Sequence, residues 1–219
     1  MHPLHLALVW RSKRKYGGKG QCLWFLLASW ALMGTAQAQP SMEAGKAIAS
    51  QTCVACHGAD GNTSVAGSAK LAGQIPEYLA KAIADFQAGD RTNAMMQPMV
   101  ANLSPQDRQN VAAYFSAQTL VPASAADEAK ARAGEKIYKG GIAERGVPAC
   151  MGCHGPQGEG IAVQFPRIGG QVPEYTAVQL NAFRDGKRKG DPQAMMQEIA
   201  QRLTPYHIDA LSQYIAGLR

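Results

Sequence analysis

Cys53-Val54-Ala55-Cys56-His57 recurs 97 residues later as Cys150-Met151-Gly152-Cys153-His154, and the reading of this stretch decides the rest. Cys-x-x-Cys-His is the attachment signature of c-type haem. The thiols add to the porphyrin vinyl groups as thioethers, and the adjoining histidine is placed to bind iron. A Cys-x-x-Cys pair alone also serves zinc ribbons and thioredoxin-like sites. A zinc ribbon brings its two pairs within roughly 15 to 20 residues, far closer than here. A thioredoxin-like motif follows a strand in a βαβ unit, whereas Ser50-Gln51-Thr52 and Gly146-Val147-Pro148-Ala149 are short and unpatterned. Two motifs therefore predict two covalently bound haem c groups, attached through Cys53, Cys56, Cys150 and Cys153, with His57 and His154 as proximal ligands.

The duplication reaches well beyond the motifs. At the same offset Gly58 and Gly61 meet Gly155 and Gly158, Lys70-Leu71-Ala72-Gly73-Gln74 meets Arg167-Ile168-Gly169-Gly170-Gln171, Pro76-Glu77-Tyr78 meets Pro173-Glu174-Tyr175, and Phe86 and Gly89 meet Phe183 and Gly186. After a three-residue insertion, Met95-Met96 meets Met195-Met196, Leu103 meets Leu203, and Tyr114 meets Tyr214. The chain is one unit written twice: 39–119 and 128–219, joined by a linker over 120–127.

Both units carry a helical plan. A helix is predicted before each motif, around Glu43 to Ser50 and Asp127 to Lys139. A second opens at Pro76 or Pro173, a residue favoured in a first turn, with Leu79, Ile83 and Phe86 as the buried stripe in the first unit. Ser104-Pro105-Gln106-Asp107 announces a third by an N-cap serine, a first-turn proline and an acid at the third helical position. Thr204-Pro205-Tyr206-His207 repeats that signal without the acid, ahead of an apolar face of Ile208, Leu211, Ile215 and Leu218. Neither unit alternates as a half-buried strand does, so the class is all-α with long ordered loops around the cofactor. Units of roughly 80 to 90 residues rich in loop build thin cores, and the haem is expected to complete them.

The first 38 residues read differently. Arg11, Lys13, Arg14, Lys15 and Lys19 precede the apolar run from Cys22 to Gly34, and Ala36-Gln37-Ala38 offers a small-x-small cleavage site, the pattern of a secretory signal peptide over 1–38. The run is shorter than the ~20 residues of a membrane span. Cleavage removes five of the 22 Lys and Arg and none of the 16 Asp and Glu, so the net charge falls from +6 to +1. The four haem propionates then make the product acidic, which excludes nucleic acid as a partner. The remaining four cysteines all belong to the haem motifs, leaving none for a structural disulfide.

The sixth iron ligand decides function, because an open position permits chemistry on a substrate and a filled one leaves electron transfer. Beyond the signal segment only His57, His154 and His207 remain, so bis-histidine ligation at both haems is excluded by count. His207, at a helix start opposite Asp107 of the other unit, reads as an exposed surface residue. Methionine is a soft ligand that raises the haem potential, and Met-Met recurs 39 residues after His57 and 42 after His154. Methionines also fill gaps in cores, but recurrence where a loop must return to the haem favours ligation. Met99 is replaced by Ile199 and is excluded as a common ligand. Within each pair the repeat does not choose.

These motifs together, the Lys70 to Gln74 and Arg167 to Gln171 segments, and the Met-Met segments before Leu103-Ser104 and Leu203-Thr204 closely resemble the cytochrome c4 family of dihaem periplasmic electron carriers, across essentially the whole exported chain. The resemblance implies a tandem duplication of two class I cytochrome c domains. It also implies ligation by the methionine eight residues before the capping Ser or Thr, which is Met96 or Met196 here. Its implied partners are a quinol-oxidising complex and a terminal oxidase, served by a monomer in the periplasm with room for peripheral membrane association. The family places a proline carbonyl against the proximal histidine; Pro166 fits, while the first unit has Ala69. That departure predicts unequal haem environments. Lys70 and Arg167 stand between a propionate contact and a solvated cation, the Arg184 to Lys189 basic cluster between a partner-docking patch and a solvated loop, and Tyr78 and Tyr175 read as packing residues. A dihaem peroxidase, a thiosulfate-oxidising haem enzyme and a haem subunit of a membrane dehydrogenase are the rival readings; the first two need an open or differently ligated iron.

Overall fold

The computed structural model describes residues 39–219, and the leader assigned to 1–38 lies outside them. Among the described residues the secondary structure is helical, with isolated bridges in place of strands. The first half consists of α1 (Met42–Ile48), a π-helical turn (Ala49–Cys53), α2 (Val54–His57), α3 (Pro76–Ala88), α4 (Met96–Val100) and α5 (Pro105–Ser116). The second consists of α6 (Glu128–Gly140), α7 (Met151–His154), α8 (Pro173–Arg184), α9 (Met195–Gln201) and α10 (Pro205–Ala216), with short 3₁₀ turns at Ala143–Arg145 and Pro192–Ala194.

Each half is held by its first helix crossing its last: α1 packs on α5 and α6 on α10. The crossings are close enough to require glycine. A Cβ on Gly45 would lie 2.0 Å from the Asn110 carbonyl oxygen, and one on Gly134 2.1 Å from that of Ala210. Around the first crossing the core is small, with Ala49, Leu79, Val111, Ala112 and Phe115 buried. The second core is larger and gathers Ile137, Tyr138, Ile142, Val147, Leu203, Ile208, Leu211 and Ile215. The stripe predicted for α3 is present, with Leu79 and Phe86 buried and Ile83 half-buried. Leu218 of the stripe predicted for α10 is half-buried at its end.

Ser104 caps α5 as its sequence predicts: its hydroxyl accepts from the Asp107 amide, and the Asp107 carboxylate accepts from the Ser104 amide. The α10 cap lacks an acid but is not incomplete. His207 Nδ1 accepts from the Thr204 amide at 3.3 Å, so the imidazole takes the carboxylate's place and His207 is half-buried rather than exposed. Ser50-Gln51-Thr52, read as unpatterned, belongs to the π-helical turn that runs α1 straight into the first motif. In the second half α6 ends at Gly140, and a loop pinned by reciprocal Ile142–Val147 backbone bonds intervenes before Cys150.

The segment between each motif and the following helix folds back on the motif's own glycine. The Leu71 and Ile168 amides each donate at 2.8 Å, to the carbonyls of Gly61 and Gly158 respectively. Both glycines have φ near +70 to +80°, and a Cβ there would come within 2.7 Å of the Ala72 nitrogen or 2.6 Å of that of Gly169. Their recurrence thus reflects both handedness and space. Gly73 and Gly170 amides then donate to Phe115 and Ile215 carbonyls at the ends of α5 and α10, anchoring these loops to the helical frame.

The two halves meet in a pseudo-symmetric interface. Arg91 and Arg188, 97 residues apart, form an antiparallel bridge. The Arg91 guanidinium lies 4.5 Å from the Phe86 ring centre and donates to Tyr175 Oη; that of Arg188 lies 4.4 Å from the Phe183 ring and donates to Tyr78 Oη. Both also donate to Gln179 Oε1 at 2.8 Å. Tyr78 and Tyr175, read from sequence as helix packing, therefore work across the interface. The basic cluster divides: Arg188 is buried, while Arg184 and Lys187 pair with Asp185 on the surface.

Candidate functional site

Each Cys-x-x-Cys-His motif forms a single helical turn closed by a glycine of positive φ, Gly58 or Gly155. A turn of helix places the motif's two cysteines and its histidine at its successive positions within a few ångströms of backbone. The four cysteines are unbridged. Burial raises the Cys53 and Cys150 thiols to about 11, so neither is the thiolate that a catalytic dithiol needs at neutral pH.

His57 and His154 are buried, at 8% and 7% exposure. His57 Nδ1–H donates to the Ala69 carbonyl at 2.8 Å, and His154 Nδ1–H to the Pro166 carbonyl at 2.9 Å. A carbonyl only accepts, so the proton sits on Nδ1 and the lone pair on Nε2. Burial holds both rings below the ordinary histidine range against the pull of the carbonyl, and the Arg91 charge adds to this at His57. Both imidazoles are therefore neutral at pH 7 with Nε2 free for a metal, the arrangement of a proximal ligand oriented by an outer hydrogen bond. The substitution of Ala69 for proline leaves this bond intact, because the acceptor is backbone.

The methionine pairs start short helices capped from upstream. Asn93 Oδ1 accepts from the amides of Met95 and Met96, and Asp191 Oδ2 accepts from that of Met196 at 2.6 Å. Met95 is 68% and Met195 37% exposed, while Met96 and Met196 are half-buried. Arg167 is no free surface cation: its Nε donates to the Gly73 carbonyl of the other half.

Among the described residues no three His, Cys, Asp or Glu side chains cluster to hold a metal ion unaided. Iron delivered by a porphyrin needs only axial ligands, and the paired thiols and free Nε2 atoms match it. Arg91 and Arg188 are buried at 7% and 9% exposure, and among the described residues neither pairs with a carboxylate. Buried charge is costly without an anion, and the carboxylates that a haem brings suit these two guanidiniums. Sequence reading placed Arg188 only in a basic surface cluster and did not single out Arg91, although their shared offset of 97 was visible. Among the described residues no helix is long and apolar enough to cross a membrane.

Comparison with known proteins agrees with this geometry. Residues 40–115 match the family of cytochrome c oxidase, cbb3-type, subunit III, and residues 131–219 match the cytochrome c family. Cytochrome c4 of Pseudomonas aeruginosa is 44% identical over 195 residues, covering 88% of this chain and 96% of that protein. A thiosulfate dehydrogenase electron acceptor of Stutzerimonas stutzeri is 36% identical, covering 86% and 94%. The crystal structure of reduced recombinant cytochrome c4 from Pseudomonas stutzeri superimposes with a TM-score of 0.78 at 42% identity, covering 82% of this chain and all of that one.

Proposed function

The chain belongs to the cytochrome c4 family and is a dihaem electron-transfer cytochrome, and from that premise we propose that it carries single electrons in the periplasm from a quinol-oxidising complex to a terminal oxidase, as a monomer without catalytic activity of its own. The two haems supply reversible one-electron storage. His57 and His154 bind the irons through Nε2, Cys53, Cys56, Cys150 and Cys153 hold the macrocycles, and Met96 and Met196 close the distal positions.

The observation that carries this reading is the matched pair of sites: in each half a neutral, buried, oriented histidine is accompanied by a Met-Met turn whose second methionine is the more sheltered. Saturating both irons with protein ligands leaves no position for a substrate, which opposes the peroxidase and thiosulfate-oxidising alternatives. Similarity to a thiosulfate dehydrogenase electron acceptor supports a second donor: an enzyme that oxidises thiosulfate could reduce this carrier, with the chemistry remaining in the enzyme. Export follows from the leader over 1–38, with 39–119 and 128–219 as the two domains and 120–127 between them.

Spectroscopy of the holoprotein tests ligation directly. Both haems should contribute to the near-infrared His-Met charge-transfer band. Met96→Ala and Met196→Ala should each remove half of that band and lower one reduction potential, while Met95→Ala and Met195→Ala leave both unchanged. A larger effect at Met95 would reverse the assignment within the pair. Reduction by thiosulfate alone would place catalysis in this chain, whereas reduction only in the presence of a thiosulfate-oxidising enzyme would mark it as the acceptor.

A further inference from the structure

The carbonyl that orients each proximal histidine is one end of a peptide group whose other end is gripped by the opposite half. In the Ala69–Lys70 peptide, the carbonyl accepts from His57 and the Lys70 amide donates to Gln171 Oε1 at 2.8 Å. In the Pro166–Arg167 peptide, the carbonyl accepts from His154 and the Arg167 amide donates to Gln74 Oε1 at 2.9 Å. Each glutamine also returns a bond: Gln171 Nε2 donates to the Lys70 carbonyl at 3.0 Å, and Gln74 Nε2 to the Arg167 carbonyl at 2.8 Å. A second amide, Val172 or Ile75, locks each Oε1. Both side chains are buried, at 7% for Gln74 and 9% for Gln171. Neither amide can be flipped, since that would set donor against donor and carbonyl against carbonyl.

We propose that Gln74 and Gln171 are crossed positioning residues, each setting the electron-donor strength of the proximal histidine in the other half. A peptide whose N–H is donated becomes a better acceptor at its carbonyl, because hydrogen bonds in series polarise one another. A stronger carbonyl draws the Nδ1 proton outward and enriches Nε2, which stabilises the oxidised iron and lowers its potential. Gln171 therefore acts on the haem bound by His57, and Gln74 on the haem bound by His154. The two redox centres of this chain do not have independent potentials, because each domain completes the outer ligand shell of its neighbour. The inference rests on the haem-ligating role of the two histidines and is independent of Met96, Met196 and the identity of redox partners.

The test uses the full holoprotein. Gln171→Met keeps side-chain length while removing the acceptor. The Nδ1–H proton resonance of His57 should move, and the haem it binds should become easier to reduce by about twofold in equilibrium constant, the scale of cooperative polarisation. The His154 resonance and haem should move by less than half as much. Gln74→Met should give the mirror image. Equal shifts at both haems, a shift confined to the substituted half, or no shift overturns the proposal. Lys81→Met is the control, because it deletes another bond between the halves, from Lys81 Nζ to the Gly190 carbonyl at 2.6 Å, without touching either peptide or the arginines near the histidines. If Lys81→Met reproduces the Gln171→Met pattern, the effect is loosening of the interface and the proposal fails. Where a methionine variant loses haem, Gln171→Asn and Gln74→Asn, one methylene too short to reach, must show the same crossed pattern.

Discussion

The two halves build matching buried histidines, each bonded to a backbone carbonyl, on unequal frames. The core cluster at the helix crossing of the N-terminal half joins five buried residues, two of them alanine, and α1 runs through a π-helical turn directly into Cys53. The corresponding cluster of the C-terminal half joins eight, including a fully enclosed Tyr138, and a bridged loop is inserted before Cys150. Yet the histidine-to-carbonyl distances are 2.8 and 2.9 Å. Even the tether on the loop after the motif is supplied differently. Tyr114 of α5 donates to the Ala59 carbonyl, whereas Tyr138 of α6 donates to that of Gly155. The difference teaches that the ligand geometry is specified locally, by the motif turn, its glycine and one backbone carbonyl, while the surrounding helices can drift provided that the crossing glycine stays.

The sharpest way to break the likeness is at that crossing. Gly45→Ala and Gly134→Ala each drive a methyl into a carbonyl about 2 Å away. Backbone must move, and each should cost on the order of 3 kcal/mol in denaturant unfolding of the holoprotein. If Gly45→Ala proves much milder than Gly134→Ala, the smaller core of the first half is the more deformable.

A smaller contrast lies in pH. Asp107 is held below the ordinary carboxylate value of 3.8 by its hydrogen bonds from Ser104, so the α5 cap is intact above that value and weakens only as pH falls through the lowered one. His207 is held below 6.5 chiefly by burial, with Arg145 assisting. The unfolded chain takes the proton first, and an imidazolium cannot accept from the Thr204 amide. The α10 cap therefore contributes fully above pH 6.5 and is lost as pH drops below it. Hydrogen-exchange protection factors in the first turn of α10 should decline between pH 7 and 5.5 while those of α5 hold, by less than the ~1 kcal/mol typical of a cap because both groups stay partly in contact with solvent. His207→Asp should remove the contrast.

The smallest effect is expected from Ala69→Pro, which gives the first loop the residue found in the second. Since the Ala69 carbonyl already accepts from His57, the gap between the two reduction potentials should change by less than a twofold equilibrium factor in a redox titration. A larger change would show that loop stiffness, and not the hydrogen bond itself, separates the two haems.

Much of this was legible in the chain. The Cys and His positions, the duplication, the helix starts at Pro76, Pro105, Pro173 and Pro205, and the stripes of α3 and α10 follow from spacing and local chemistry. The role of His207 as a cap did not, since imidazole rarely stands in for a carboxylate there. Gly45 and Gly134 stand in Ala44-Gly45-Lys46-Ala47-Ile48 and Ala133-Gly134-Glu135-Lys136-Ile137, a repeat at an offset of 89 rather than 97, but the carbonyl that each one faces is known only from the helix crossings. Arg188, counted from sequence in a basic surface cluster, is buried against Tyr78, a partner 110 positions away in the chain.

The sequence by itself determined what each half binds, because the haem-attachment motif is written within five consecutive residues. Only the tertiary structure decided how the halves act on one another. Gln74 and Gln171 sit in equivalent segments that look like parts of their own pockets, and the peptides they hold belong to the opposite domain. Local pattern reports which groups a segment carries, whereas a hydrogen bond between residues about a hundred positions apart exists only once two folded surfaces have met.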